Sequence, residues 1–277
     1  MNSKAIVAVV LALWAPWTVQ AQGVAAQGRA TPTAKASAPI DLTGYWTAVL
    51  TEDWHVRMFT APKGDFGSGP PGTVAVVSTG RLGIGANPAQ DGNIPYNLKG
   101  AQAAMAWDPA KDESEGNPCK AYGAPGIMRQ PTHLRITWPD ENTLKMEADF
   151  GTQTRLLHFE PQAKRQEEPT LLGSSIASWI IMGGGGGQAN FERGGALKVV
   201  TTQLKPGYYW KNGMPYTANA VLKENFFLLN LPDGSTWMTV TQMVDDPEYL
   251  TQPYVVNYHF KKLSDGSKWN PTPCVVR

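Results

Sequence analysis

An all-β domain, built as an antiparallel barrel or sandwich with one short helix and long Gly- and Pro-rich loops, is the fold class this sequence predicts. Three observations predict it. Through most of the chain beyond residue 130, apolar and polar residues alternate with period two, as a half-buried strand requires. The alternating segments are rich in Val, Thr, Tyr, Phe and Trp, whose side chains suit a pleated surface. Turn residues recur between them at short spacing.

At the start of the chain, Lys4 precedes an apolar run from Ala5 to Trp14, and "VQA" ends at Ala21. That is the pattern of a secretory signal peptide cleaved near Ala21, so the expected location is periplasmic or secreted. Residues 22–39 are mostly Ala, Thr, Ser, Pro and Gly with little to bury, and read as a flexible leader. Residues 40–277 remain for a single β-rich domain, long enough to bury a core without extra staples. No later segment approaches about 20 uninterrupted apolar residues, so permanent membrane insertion is not expected.

Lys and Arg number 24 against 23 Asp and Glu, with a net charge of +1 and no basic cluster. The electrostatic case for nucleic acid is therefore absent. Nothing in the pattern fixes an oligomeric state. Cys119 and Cys274 are the two cysteines, and in an exported chain such a pair is more often a disulfide than a metal or nucleophile pair.

The elements follow in order. "TEDWHVRMF", Thr51 to Phe59, reads as a strand with Trp54, Val56 and Met58 on one face and Asp53, His55 and Arg57 on the other. Residues 61–97 are Gly- and Pro-rich and read as a long excursion of the kind that covers a site. "LKGAQAAMAW", Leu98 to Trp107, carries the one helical period, with Leu98, Ala101, Ala104 and Met105 as its apolar stripe. "HLRITW" and "LKMEADF" flank the turn "PDENT" and form a hairpin. "TQTRLLHF", "ALKVVTTQL", "AVLKENFFLL", "TWMTVTQMV" and "YVVNYHFKKL" then succeed one another as strands, parted by turn material such as "KPGYYWKNGMPY". "GGGGG" at 183–187 is a flexible insertion; without a following Lys and Ser or Thr it is no phosphate loop.

"WDPAKDESEGNPC" (107–119), "GIMRQP" (126–131), "PTLLGSSIASW" (169–179), "LKVVTTQL" (197–204) and "VDDPEYLTQPY" (244–254) together make the C-terminal two thirds resemble a large family of secreted, mostly uncharacterised bacterial β-rich proteins. The chain departs from it at 180–194, where a Gly-rich insertion separates "ASW" from "ALKVV". The resemblance implies a compartment and an all-β body, not a reaction. "DLTGYW", Asp41 to Trp46, is similar to the Gly-x-Trp opening of lipocalin-type barrels, which hold one small apolar ligand.

Acid–base chemistry without a cofactor needs a group titrating near neutrality, an orienting partner and an anchor. Asp53, His55 and Arg57 supply these on one face, as orienter, general base and anchor; a solvated sheet face is the competing reading. His133 with Arg135 forms a second patch, and Arg155 a third. Closure of the sheet would let these polar faces converge with Glu224 of "LKENF". "PGYYWKNGMPY" carries four aromatic rings, which present flat contact surface or cap a barrel end. No Gly-x-Ser-x-Gly elbow surrounds Ser174 and Ser175. The histidines at 55, 133, 158 and 259 lack zinc-site spacing, and "DDPEYL" lacks the oxygen spacing of a calcium loop, so no metal or cofactor is expected.

Three functions remain. The first is capture of a small organic molecule in a cavity lined by Trp46, Trp54, Tyr208 and Tyr209 and read by Asp53, His55, Arg57, His133, Arg135, Arg155 and Glu224. The second is a cofactor-independent lyase, isomerase or hydrolase with His55 as base. The third is an envelope interaction module without a catalytic site.

Overall fold

Nine strands close into a barrel in the computed structural model, which describes residues 31–49, 94–160, 168–182 and 194–276. The strands, in chain order, are β1 (Gly44–Ala48), β2 (His133–Asp140), β3 (Thr143–Ala148), β4 (Gln153–His158), β5 (Ser174–Met182), β6 (Gly194–Thr202), β9 (Val221–Asn230), β10 (Thr236–Asp245) and β11 (Tyr254–Leu263). Around the barrel they run β1-β11-β10-β9-β6-β5-β4-β3-β2, and β1 closes on β2. β7 (Gly207–Trp210) and β8 (Met214–Tyr216) form a separate hairpin. All of these lie in one unit, Pro32–Arg277.

The all-β expectation holds, and of its two forms the chain adopts the barrel. It is mixed in one place: β4 and β5 run parallel, through only two residue pairs, Leu157↔Ser175 and His158↔Ile176. Every other neighbouring pair is antiparallel. Slanted parallel bonds are slightly weaker per residue, and two pairs make a short ladder, so this seam is the least supported join of the described wall.

Period-two alternation decides which side chains fill the lumen. On β10, Met238, Val240, Gln242 and Val244 point inward between half-exposed neighbours. Leu134 and Ile136 of β2, Phe226 of β9 and Phe260 of β11 do the same and are at most 1 % exposed. Trp46 stands among them, buried, with its indole N–H donating to the Leu42 carbonyl. It is part of the packed core.

Three short helices are present among the described residues, against the one expected: α1 (Leu98–Met105), α2 (Pro109–Ser114) and α3 (Ala124–Ile127). The Asn97 side chain caps α1 at Gly100 N, and that of Asp108 caps α2 at Ala110 N. The apolar stripe read for α1 holds at Ala101 and Ala104 and fails at its two large residues. Leu98 and Met105 are exposed, while Gly100, Ala101 and Ala104 face inward. Close approach is the reason: a Cβ at Gly100 would meet the Tyr96 ring and the Tyr249 carbonyl, so only small residues fit beneath this helix.

A second core closes one end of the barrel. Tyr209, Trp210 and Tyr216 of the β7–β8 hairpin pack with Leu222, Val244 and Tyr254 from the strand ends. Gly213, at φ +82°, turns the hairpin with its α-carbon against the Trp107 ring. Residues 33–39, which by composition belong to the leader, dock onto the wall instead. Ala34 N donates to Asn142 Oδ1 at 2.9 Å, and its carbonyl accepts the Trp179 indole N–H at 2.7 Å.

Candidate functional site

The lumen carries one polar layer. Arg155 of β4 donates Nη1 and Nη2 to the two carboxylate oxygens of Glu224 on β9, at 3.1 and 2.6 Å. Its Nη2 also donates to Thr201 Oγ1 of β6 and Ser175 Oγ of β5, at 3.1 and 3.4 Å. Gln242 of β10 donates to Glu224 Oε1 at 2.9 Å. All five side chains are at most 4 % exposed. One residue pair along the strands, Leu157, Phe226 and Val240 belong to the barrel core; on the other side, Leu222 and Val244 belong to the end cap. The layer is a polar disc between two apolar ones. Its guanidinium is neutralised in bidentate fashion, so it links four strands across the seam and leaves no free cation for an anion.

His133 and Arg135 do not join that disc. They alternate with buried Leu134 and Ile136, which puts them on the outer face. The expected convergence is thus partial: closure brings Arg155 to Glu224 and leaves His133 and Arg135 outside. There each has its own carboxylate. His133 Nδ1 lies 2.7 Å from Asp149 Oδ2, and Arg135 grips Glu147 through Nε and Nη2, both at 2.8 Å. The paired charges hold the Glu147 carboxyl below its ordinary range and the Arg135 guanidinium above its own.

The aromatic turn divides. Tyr209 lies in the end cap, where burial raises its phenol well above the usual value. Tyr208 is half-buried and donates to Asp112 Oδ2 at 2.8 Å; burial, then that carboxylate, raises it too. Lys120 pairs with the same aspartate and lies 5.7 Å from the Tyr208 ring centre. Lys211 has no carboxylate among the described residues; burial lowers its amine.

Clefts open outside the wall, between the parallel seam and this turn. One of about 280 Å³ is lined by Arg155, His158, Thr170, Leu172, Ser174 and Ser175. Thr170 and Leu172 also line a larger cleft of about 830 Å³, together with Pro118, Cys119, Lys120, Gln153, Leu171, Lys205 and Pro206. Lys120 and Pro206 continue into a third of about 310 Å³, against Tyr208, Tyr216 and Glu248. Cys119 sits beside Cys274, with sulfur atoms 2.08 Å apart and α-carbons 5.1 Å apart, as a bridge requires.

Sequence reasoning missed Leu171, Leu172, Lys120 and Lys205. The signal was there in "PTLLGSS": two leucines between Pro and Gly, in a segment with no strand period to bury them. Asp53, Trp54, His55 and Arg57, residues 61–93 and the glycine run at 183–187 lie outside the described residues. No family model, curated protein or solved structure matches the chain. The functional reading therefore rests on geometry.

Proposed function

We propose that the protein is an exported binder of a small organic anion, held in the cleft between the β4–β5 seam and the 206–216 turn. One observation carries the reading. The cleft of about 830 Å³ combines an apolar lining, Pro118, Leu171, Leu172 and Pro206, with two ammonium groups, Lys120 and Lys205. A concave, mostly apolar surface with a few polar groups is what a small-molecule site needs, and the volume is within the usual range. Lys120 is already compensated by Asp112, whereas Lys205 forms no ion pair among the described residues. The ligand that matches is a flat or branched apolar body with one acidic group directed at Lys205.

The lumen plays a different part. Its described walls are packed with Trp46, Phe226, Phe260 and their neighbours, so the pocket lies beside the barrel instead of within it as in a lipocalin. Export is part of the same reading, supported by the signal pattern of residues 1–21 and by the cysteine bridge.

The probe that tests this is 8-anilinonaphthalene-1-sulfonate, an aromatic anion whose emission rises on desolvation. The folded protein should bind it saturably, one per chain. Lys205→Met should weaken binding roughly threefold to tenfold, the share of a charge-assisted contact left after solvent screening. Leu172→Gln should weaken it by a similar factor, with the thermal midpoint kept. Binding that ignores both substitutions, or that appears only in denaturant, overturns the proposal.

A further inference from the structure

Beyond the proposed binding cleft, we propose that the outer face of β1 and β2 is a general-base centre for hydrolysis of small aryl esters, with His133 as the base. The observation is an imidazole whose one nitrogen is held and whose other is not. Asp149, 3 % exposed, accepts His133 Nδ1 at 2.7 Å on one oxygen, and Asn270 N at 3.1 Å on the same oxygen. Its other oxygen accepts the His133 backbone N–H at 2.7 Å and the Thr132 hydroxyl at 3.1 Å. Four bonds fix the carboxylate, and the carboxylate fixes the ring. With Nδ1–H donating to Asp149, the lone pair of Nε2 faces the outer surface. No described group takes it, and the side chain is 24 % exposed.

Asp149 has a structural account, because it ties the β3–β4 turn to the segment around Asn270. The ring's bond to Asp149 likewise ties β2 to the end of β3, and in doing so it holds the imidazole in one orientation. An unoriented surface histidine would meet water with either nitrogen; this one offers a single defined acceptor, as a general base must.

Its surroundings supply the rest of a site. Thr47 of β1 is the residue directly opposite His133 in the β1–β2 ladder, and both side chains point outward. Opposed β-carbons lie about 4.5–5.5 Å apart, which leaves room for one water between a hydroxyl and Nε2. Arg135 lies two residues along the same face, about 7 Å away by strand geometry. It is pinned by Glu147, its guanidinium 5.0 Å from the Trp269 ring centre, and Tyr45 meets Trp269 edge to face at 6.1 Å. That wall is flat and aromatic, with its guanidinium already paired to Glu147, and one ester length from the base. It suits an aryl group.

The step balances with water alone. Water oxygen attacks the ester carbonyl carbon while its proton passes to His133 Nε2. The carbon–oxygen bond to the aryloxide then breaks, and the imidazolium returns the proton to that oxygen. A carboxylic acid and a phenol leave, and His133 is restored. Asp149 and Thr47 are positioning residues: the first holds the ring, the second the water.

The charged and titratable groups facing His133 are Asp149, Arg135 and Tyr45, Glu147 and Lys145 on β3, and Lys261 and His259 on β11. The test is p-nitrophenyl acetate hydrolysis by the processed full chain. Folded protein should exceed the same chain unfolded in urea by roughly 100-fold or more, the low end for a positioned base. His133→Gln should fall to the unfolded rate with its thermal midpoint kept. Thr47→Val should lower kcat several-fold with KM within twofold, and Thr47→Ser should restore it. A folded rate equal to the unfolded one, or a folded His133→Gln as fast as wild type, overturns the proposal.

Discussion

Arg155 and Glu224 meet across the lumen, two hydrogen bonds joining β4 to β9 although β5 and β6 stand between them in the wall. Taking both ions out of water costs several kcal/mol each, and their attraction does little more than offset it. The contribution of the pair therefore lies less in net stability than in which strands it joins. It spans the one parallel seam, which has two residue pairs of its own, and it adds Ser175 and Thr201 from the two intervening strands. A barrel that slipped its register at this seam would strand a buried guanidinium.

Removing one member should accordingly cost far more than removing both. Arg155→Met is expected to lower unfolding free energy by about 3–5 kcal/mol, since Glu224 is left buried and uncompensated. The double variant with Glu224→Met should recover most of that loss. Urea titrations of the single and double variants measure it; equal costs for single and double changes would contradict the account. Hydrogen exchange at Leu157 and Ser175 should quicken most in Arg155→Met.

How much of this could be read beforehand depends on the range of each signal. Strands were legible because alternation is local: "HLRITW" and "TWMTVTQMV" each show which face is wet without reference to any partner. Closure and the parallel seam were not, because nothing within "TQTRLLHF" tells which strand will lie beside it. Arg155 and Glu224 read as polar residues on strands; only closure made them a pair. The α1 stripe was legible only at Ala101 and Ala104, for a related reason: hydrophobicity ranks Leu98 and Met105 above Gly100, while fit beneath a tyrosine ring ranks them the other way. Helix α2 carried its own signal, Asp108 before Pro109, in a segment too short to show a period.

Gly213 offers a direct test of the end cap. Its φ of +82° is a conformation that side chains disfavour, and an added Cβ would fall within the Trp107 ring. That ring cannot simply swing away, because its indole N–H donates to Asp112 Oδ2 at 2.9 Å, an oxygen that Tyr208 shares. Gly213→Ala should destabilise by more than the roughly 1–2 kcal/mol of backbone strain alone. Loss of near-ultraviolet circular dichroism from the Trp and Tyr residues should accompany it. A change below about 0.5 kcal/mol would mean the hairpin is not clamped as described.

Acid should weaken the outer face of β2 and β3 in a predictable window. Arg135 holds the folded-state value of Glu147 below its unfolded one, so the stabilisation is present above the unfolded value, near 4.3 for a model glutamate, and is lost as pH falls through the folded value. Unfolding free energy should thus decline on acidification below about pH 5. Glu147→Gln should flatten part of that decline, by less than about 1 kcal/mol because Arg135 is 36 % exposed and water screens the pair. Urea midpoints at pH 7, 5 and 3.5 would show it; parallel curves for variant and wild type would remove Glu147 from the acid response.

Cys119 and Cys274 close a sequence separation of 155 residues, joining the segment before α3 to the last described residues. Thiol titration of the denatured, unreduced protein should find no free thiol. On the chain-entropy account, so long a loop contributes up to roughly 4–5 kcal/mol, so the Cys119→Ala, Cys274→Ala double variant should show a clearly lower urea midpoint. A second consequence is local. Cys119 lines the cleft of about 830 Å³, between Pro118 and Lys120, and the bridge anchors that wall to the C-terminal segment. Reduction should therefore weaken 8-anilinonaphthalene-1-sulfonate binding at temperatures where the barrel is still folded, as judged by far-ultraviolet circular dichroism. If reduction lowers the midpoint and leaves binding intact, the bridge serves the fold alone and the anion site does not depend on that wall.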